Sequence, residues 1–481
     1  MANLLKYCSV LSFIVGQLTA QENGYPVKND LVGDFINYVN SSPSTYHSVA
    51  SSQERLEKAG YKRLSEQANW KDQVKPNGKY YVIRGKSSLV AFSVGGNYKS
   101  GNGFSIIASH DDSPSLRLKP KYNKSNKQYL SAGFATYGDG AWYSWFDRDL
   151  GLAGRLVIED KPNHYVSKLV NLNKPIFRIP TLAIHLDNTI DRDGFTINPE
   201  TELVPIAGTF NAPGAINNTL FVHQLLAEEY KLNPNQIADQ DLALYDLNPA
   251  TVSLVTEDII TGHRLDSLTM TYAGLRSLID STNDDSLKGD SRVRVFVQFD
   301  HEKVGSSSYQ GAKSTFLPSI LKRITYTSPS DDGSLQEQAL SDSLLVSAEQ
   351  GHAYNPSGAG LYESENLVKL NEGPFIGFNL GTKYATNSAT SSHLDSVAKA
   401  VNVTLQRRTH RNDVSERATF GSALSSLLGV STVDFGTGQL SKNAIREAIG
   451  TKDLEQSVQV LTKFYQLPPI KLEDEEGFDE L

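Results

Sequence analysis

The amino-acid sequence predicts an α/β protein whose main domain is split by an inserted, mostly β domain. Three observations carry that prediction. Two strongly apolar runs, Gly103 to Ser109 and Val293 to Phe299, each end in a polar cluster, His110-Asp111-Asp112 and Asp300-His301-Glu302-Lys303. That is the pattern of buried strands whose carboxyl ends carry a site. Between them, from about residue 119 to 254, the chain changes to short strands and turns punctuated by Pro, Gly and Asn. A length of 481 residues corresponds to two or three domains at about 150 residues each.

Taken in order, the elements fit this plan. Lys6 and the apolar stretch Tyr7 to Gly16, followed by Leu18-Thr19-Ala20 and the polar Gln21-Glu22, read as a signal peptide. The stretch is about half the ~20 residues a spanning helix requires, so no membrane span is expected in the mature chain. Helices are expected at Asp30 to Asn40 and Ser51 to Lys58, and strands at Tyr80 to Arg84 and Leu89 to Val94. In the insertion, strands are expected at Gly151 to Glu159 and Pro175 to Ile179, with a helix at Thr219 to Tyr230. The α/β character returns with a helix at Leu265 to Ser281, where Leu268, Tyr272, Leu275 and Leu278 fall at helical spacing. Strands follow at Val293 to Phe299, Leu344 to Ala348, Phe375 to Asn379 and Ser431 to Asp434, with helices at Thr390 to Asn402 and Ser441 to Tyr465. The tail from Leu472 is acidic, as in a solvated or docking segment.

Composition narrows the function. With 46 Lys+Arg against 54 Asp+Glu the formal charge is -8, so there is no global basic field for nucleic acid. The single cysteine, Cys8, lies in the processing segment, which excludes intramolecular disulfides, Cys-rich zinc sites and a cysteine nucleophile. Any metal must be held by His and carboxylates. The G-x-S-x-G elbow and the phosphate loop are absent, and His301-Glu302 fails the H-E-x-x-H pattern because position 305 is Gly and the segment follows a strand. What remains at strand and helix ends is His110 with Asp112, Asp266, Glu302, and Glu349 with His352. Singly, each is a capping or surface group; together they suggest a carboxylate-rich metal hydrolase site. Sequons at Asn40, Asn123, Asn217 and Asn402 are compatible with a secretory route.

Several long motifs resemble one family. Ser109-His110-Asp111-Asp112-Ser113-Pro114, Trp145-Phe146-Asp147-Arg148-Asp149-Leu150-Gly151, Leu182-Ala183-Ile184-His185-Leu186, Asp300-His301-Glu302-Lys303-Val304-Gly305-Ser306 and Lys383-Tyr384-Ala385-Thr386-Asn387 are similar to motifs of the aspartyl aminopeptidase and vacuolar aminopeptidase I family of dizinc metallo-aminopeptidases. The similarity runs from about residue 30 to 465. It implies a phosphorylase/hydrolase-like α/β catalytic domain around a central mixed sheet, interrupted by a mostly β dimerisation domain. The implied layout is a signal peptide at 1–20, catalytic residues 21–118 and 255–471, a dimerisation domain at 119–254 and a tail at 472–481. It further implies dimer-based dodecamers and removal of amino-terminal residues from peptides.

The resemblance carries a residue-by-residue site. One zinc position maps to His110, Asp266 and Glu349, the last replacing the family's Asp. The second is broken: Lys303 stands where the family has a zinc-binding Glu, and Asn443 where it has a His. An ammonium has no lone pair and an amide is a poor zinc ligand, so at most one zinc per subunit is expected. Glu302 matches the general base, while His185 and Tyr384 match substrate-binding positions. The substrate loop is altered at Arg417 and Thr419, where added bulk and charge are expected to obstruct the pocket. Two functional expectations follow: a family member whose peptidase activity is lost or severely impaired, or an active single-zinc aminopeptidase using Glu302 as base. Peptides are the expected substrates if activity survives. The signal peptide leads to the vacuolar lumen or the extracellular space, with the cytoplasm as the alternative.

Overall fold

The computed structural model of the chain describes residues 30–126, 128–187, 194–210, 220–252, 255–283, 285–326, 334–415 and 417–469. The expected signal peptide, the acidic tail and the Asn217 sequon lie outside the described residues. Among those residues the largest sheet has 9 strands, in the order Lys62–Arg63, Lys79–Arg84, Ser88–Val94, Val293–Phe299, Phe104–His110, Leu344–Ala348, Ser431–Gly436, Phe375–Gly377, Gln406–Arg408. Its centre is parallel: Phe104–His110 lies between Val293–Phe299 and Leu344–Ala348, and the latter continues parallel to Ser431–Gly436. These strands are buried along nearly their whole length. A strand covered on both faces needs no polar alternation, which is why they appear in the sequence as apolar runs.

Ile107, Phe296, Val346 and Val433 pack against the helices Asp30–Asn40, Leu265–Asp280, Ser388–Lys399 and Thr451–Gln466. Ile106, Val295 and Leu345, on the opposite face, pack against Phe316–Thr325 and Phe420–Leu428. Full burial of each such side chain contributes about 1.5–3 kcal/mol. The Leu265–Asp280 helix approaches the sheet most closely at Gly274, where a Cβ would come within 2.7 Å of Phe296 and 3.0 Å of Ile107. That close seat sets the position of the helix's first turn, and hence of Asp266, at the carboxyl edge of the sheet. The strand register does the rest. Phe299 is opposite His110 and Ala348 opposite Phe435, so the residues following each strand meet at one edge.

The intervening chain forms a 6-stranded antiparallel sheet in the order His164–Phe177, Leu150–Lys161, Ile237–Asp246, Ser115–Asn123, Tyr129–Tyr137, Ile206–Thr209. Leu152, Leu156 and Val170 build its core with Phe221 and Leu226 of the helix Phe221–Tyr230. The strand expected at Pro175 to Ile179 is the end of the 14-residue strand His164–Phe177, whose exposed outer residues weaken its apolar signal. A larger departure concerns Ser441 to Tyr465, expected as one helix. The helix begins only at Thr451. Ser441 and Asn443 have φ of 58° and 64°, outside the right-handed helical region, and Glu447–Gly450 pairs antiparallel with Ile259–Gly262. Strand pairing therefore takes a stretch whose Ile445 and Ile449 spacing looks helical. Among the described residues no helix is long and apolar enough to cross a membrane.

The Ser388–Lys399 helix has a reciprocal cap: Thr390 N–H donates to Asn387 Oδ1 at 2.9 Å and Asn387 N–H donates to Thr390 Oγ1 at 3.1 Å. Substituting Asn387→Ala is expected to cost about 1 kcal/mol, read as a shift of the urea midpoint at unchanged slope.

Candidate active site

Four segments converge at the carboxyl edge. Phe104–His110 ends in His110, the turn after Val293–Phe299 supplies Glu302 and Lys303, Glu349 follows Leu344–Ala348, and the helix Leu265–Asp280 brings Asp266 in its first turn. Asp112 organises the first two. Its Oδ1 accepts from Glu302 N–H at 3.0 Å and its Oδ2 from Lys303 N–H at 2.9 Å and Tyr137 O–H at 2.7 Å. His110 Nδ1 donates to the Asp112 carbonyl at 3.1 Å, which turns Nε2 toward Glu302 Oε2, 3.8 Å away. The turn itself needs left-handed backbone at His301 (φ 68°) and Gly305 (φ 94°). Gly138 crosses over it so closely that a Cβ would lie 2.9 Å from Lys303 Cβ.

The centre is an ion-pair cluster. Lys303 Nζ lies 2.6 Å from Asp266 Oδ2 and 2.9 Å from Glu302 Oε2, and Lys442 Nζ lies 3.0 Å from Asp266 Oδ1. Asp266 is 1% exposed and the Lys303 side chain 9%. Apart from these ion pairs, neither oxygen of Asp266 nor Glu302 Oε2 has a hydrogen-bond partner among the described residues. Burial opposes the charge of Lys303, yet Asp266 and Glu302 hold its ammonium well above the usual lysine range. Burial is the largest single influence on Asp266 and Glu302 and raises both, but Lys303 and His110 together, with Lys442 as well at Asp266, outweigh it, so both stay ionised below the ordinary carboxylate range. His110 is pushed down by burial and by Lys303 and up, with the larger sum, by Glu302 and Asp112.

Two further carboxyls behave oppositely. Burial, reinforced by Glu302, raises Glu349 to about 8, and burial, reinforced by Asp266, raises Glu447 to about 8. Glu349 Oε1 accepts from Phe420 N–H at 3.1 Å. Glu447 accepts from Asn443 N–H and Asp266 N–H, both at 2.8 Å, tying the Asn443 turn to the Asp266 helix.

The cluster forms one wall of a cavity of about 750 Å³. Tyr384 lines it and accepts a hydrogen bond from Arg408. Thr419 also lines it, but its hydroxyl donates to Asp434 at 2.8 Å. Arg417, 82% exposed, pairs with Asp139 at the rim and ties the altered loop to the Gly138 turn. Asn443 reaches the cavity, its Oδ1 without a hydrogen-bond partner among the described residues; its left-handed backbone is one that Asn adopts readily. His185 is exposed on the 181–187 segment and does not line this chain's cavity.

The zinc implied by the sequence resemblance does not fit these residues as they stand. Asp266, which the resemblance places between the two zinc positions, has an ammonium on each oxygen, and among the described residues no group of three or more His, Cys, Asp or Glu is arranged to hold an ion. Unit charges about 4 Å apart interact by about 4 kcal/mol at an effective dielectric of about 20, so each ammonium repels a nearby divalent ion by roughly twice that. Lys442 is the residue the sequence reading passed over. Its one signal is adjacency to Asn443, since a lone lysine in a polar turn otherwise reads as solvated.

The sequence profile of the aminopeptidase I zinc metalloprotease family (M18) matches residues 38–465. Aspartyl aminopeptidase 1 of Schizosaccharomyces pombe is 40% identical over 447 residues, covering 90% of this chain and 94% of that protein. A chain of the Ape4 and Nbr1 complex, solved by cryo-EM, superposes with a TM-score of 0.88 at 40% identity, covering 91% of this chain and 85% of that one. The mApe1 dodecamer of S. cerevesiae gives 0.78 at 26% identity, covering 91% and 96%.

Proposed function

Since the chain belongs to the aminopeptidase I zinc metalloprotease (M18) family, we propose that it keeps the family's fold and a peptide-sized cavity, while removal of amino-terminal residues from peptides is lost or severely impaired. The observation that supports this most is the engagement of Glu302. A general base must offer a carboxylate oxygen to the attacking water, with a pKa near the working pH. Glu302 Oε2 instead lies 2.9 Å from the Lys303 ammonium, which lowers its basicity. The second zinc position lacks its carboxylate and imidazole at Lys303 and Asn443, so the reading allows one zinc per subunit at most.

On this proposal the chain assembles as a homo-oligomer, a dimer-based dodecamer like the mApe1 relative, through the 6-stranded domain. His185 then acts at a subunit contact and Tyr384 within the cavity. The location proposed is the vacuolar lumen or the extracellular space, reached through the amino-terminal segment. The test is hydrolysis of aminoacyl and peptide substrates, with acidic and with neutral amino-terminal residues, in zinc-containing buffer. No turnover above the protein-free rate is expected with either class. Turnover that Glu302→Gln abolishes would overturn the loss of activity and, with one zinc bound per subunit, establish the single-zinc aminopeptidase instead.

A further inference from the structure

Asp266 shares its two oxygens between two lysines that come from distant parts of the chain. Lys303 follows a central strand of the large sheet and meets Oδ2 at 2.6 Å; Lys442 lies in the turn before Glu447–Gly450 and meets Oδ1 at 3.0 Å. Each is anchored independently of Asp266. The Lys303 backbone N–H is held by Asp112 at 2.9 Å, and the Lys442 ammonium donates to the Gln350 carbonyl at 2.6 Å. Glu447 then bridges the two sides, accepting from Asn443 N–H and from the N–H of Asp266 itself. A carboxylate bridging two metal ions gives one oxygen to each cation, and here one oxygen goes to each ammonium. Of the other donors of the first zinc position, His110 Nε2 lies 3.8 Å from Glu302 Oε2 and Glu349 Oε1 takes the Phe420 N–H.

Resting on the reading of an impaired M18 centre, we infer that the Lys303 and Lys442 ammonium groups are covalently attached replacements for both metal ions, so that the centre is complete without zinc and admits none at either position. Lys303 thus has a second role besides occupying Glu302. It supplies half of a built-in pair of cations that neutralises Asp266 and Glu302 permanently. The chain should accordingly fold and assemble independently of metal supply.

The test uses the full chain in its native assembly, treated with chelator, dialysed against zinc and washed. Zinc per subunit is measured by elemental analysis, and melting temperature with and without EDTA. The expected result is substoichiometric zinc and the same melting temperature in chelator as in zinc. One or two zinc ions per subunit, lost in a His110→Ala variant, would overturn the inference. A Lys303→Glu, Lys442→Met, Asn443→His variant is expected to gain bound zinc and to melt higher in zinc than in EDTA; if it does not fold, the wild-type measurements decide alone. Peptide hydrolysis assayed on the same preparations separates the two readings. A metal-free but active wild type refutes the loss of activity and leaves this inference standing, whereas a zinc-loaded but inactive wild type does the reverse.

Discussion

Lys303→Met is expected to destabilise the folded chain by about 3–5 kcal/mol, the usual consequence of removing one member of a buried ion pair. The loss comes from what the substitution leaves behind. Lys303 is the cation closest to Asp266 and the one in contact with Glu302, at 2.6 and 2.9 Å, and among the described residues neither facing oxygen has a hydrogen bond to fall back on. Methionine fills a similar volume, so the loss is electrostatic rather than a cavity. Lys442→Met should cost less, because Lys442 is 17% exposed and touches one carboxylate of the cluster rather than two. A Lys303→Met, Asp266→Asn, Glu302→Gln variant, which removes the stranded charges as well, should recover much of the loss. The measurement is urea denaturation at neutral pH in chelator-treated buffer, at one fixed protomer concentration. A Lys303→Met midpoint equal to that of the wild type would refute the ion-pair account of the centre.

Fold and site were legible in the sequence to different degrees, for identifiable reasons. Phe104–His110 and Val293–Phe299 stood out because strands buried on both faces must be apolar throughout, and the polar residues that follow them mark where the packing ends. Asp266 was assigned through the resemblance, which also puts Lys303 and Asn443 where the family has ligands of a second zinc. Ser441 to Gly450 was misread because helical spacing of Ile445 and Ile449 is a local signal, whereas pairing with Ile259–Gly262 depends on residues nearly two hundred positions away. Lys442 escaped for a related reason. The meaning of a lysine depends on what faces it, and the facing carboxylate belongs to a helix remote in sequence. The fate of Arg417 illustrates the same limit: its charge was apparent, but its pairing with Asp139 at the rim, rather than insertion toward the centre, follows from the Gly138 turn passing beside Lys303.

Glu349 makes the stability of the centre pH-dependent in a direction opposite to that of an ordinary salt-bridged carboxylate. Its folded pKa is raised from 4.5 to about 8, chiefly by burial and next by the charge of Glu302. Between those two values the folded chain holds a proton at this position that the unfolded chain releases, so stability falls as the pH rises from about 4.5 to about 8. The slope approaches about 1.4 kcal/mol per pH unit for one such group. Glu349→Gln keeps an oxygen to accept the Phe420 N–H and places an amide where the acid proton would sit, without ionising. The variant is therefore expected to match the wild type near pH 5 and to exceed it in stability toward pH 8, as read from urea midpoints across that range in zinc-free buffer. Glu447, raised to a similar value, is unaltered in the variant, so part of the alkaline decline should persist. Parallel pH profiles for wild type and Glu349→Gln would mean that Glu349 is ionised in the folded chain, and the cluster would then carry one more negative charge than its two lysines and the neutral acid allow.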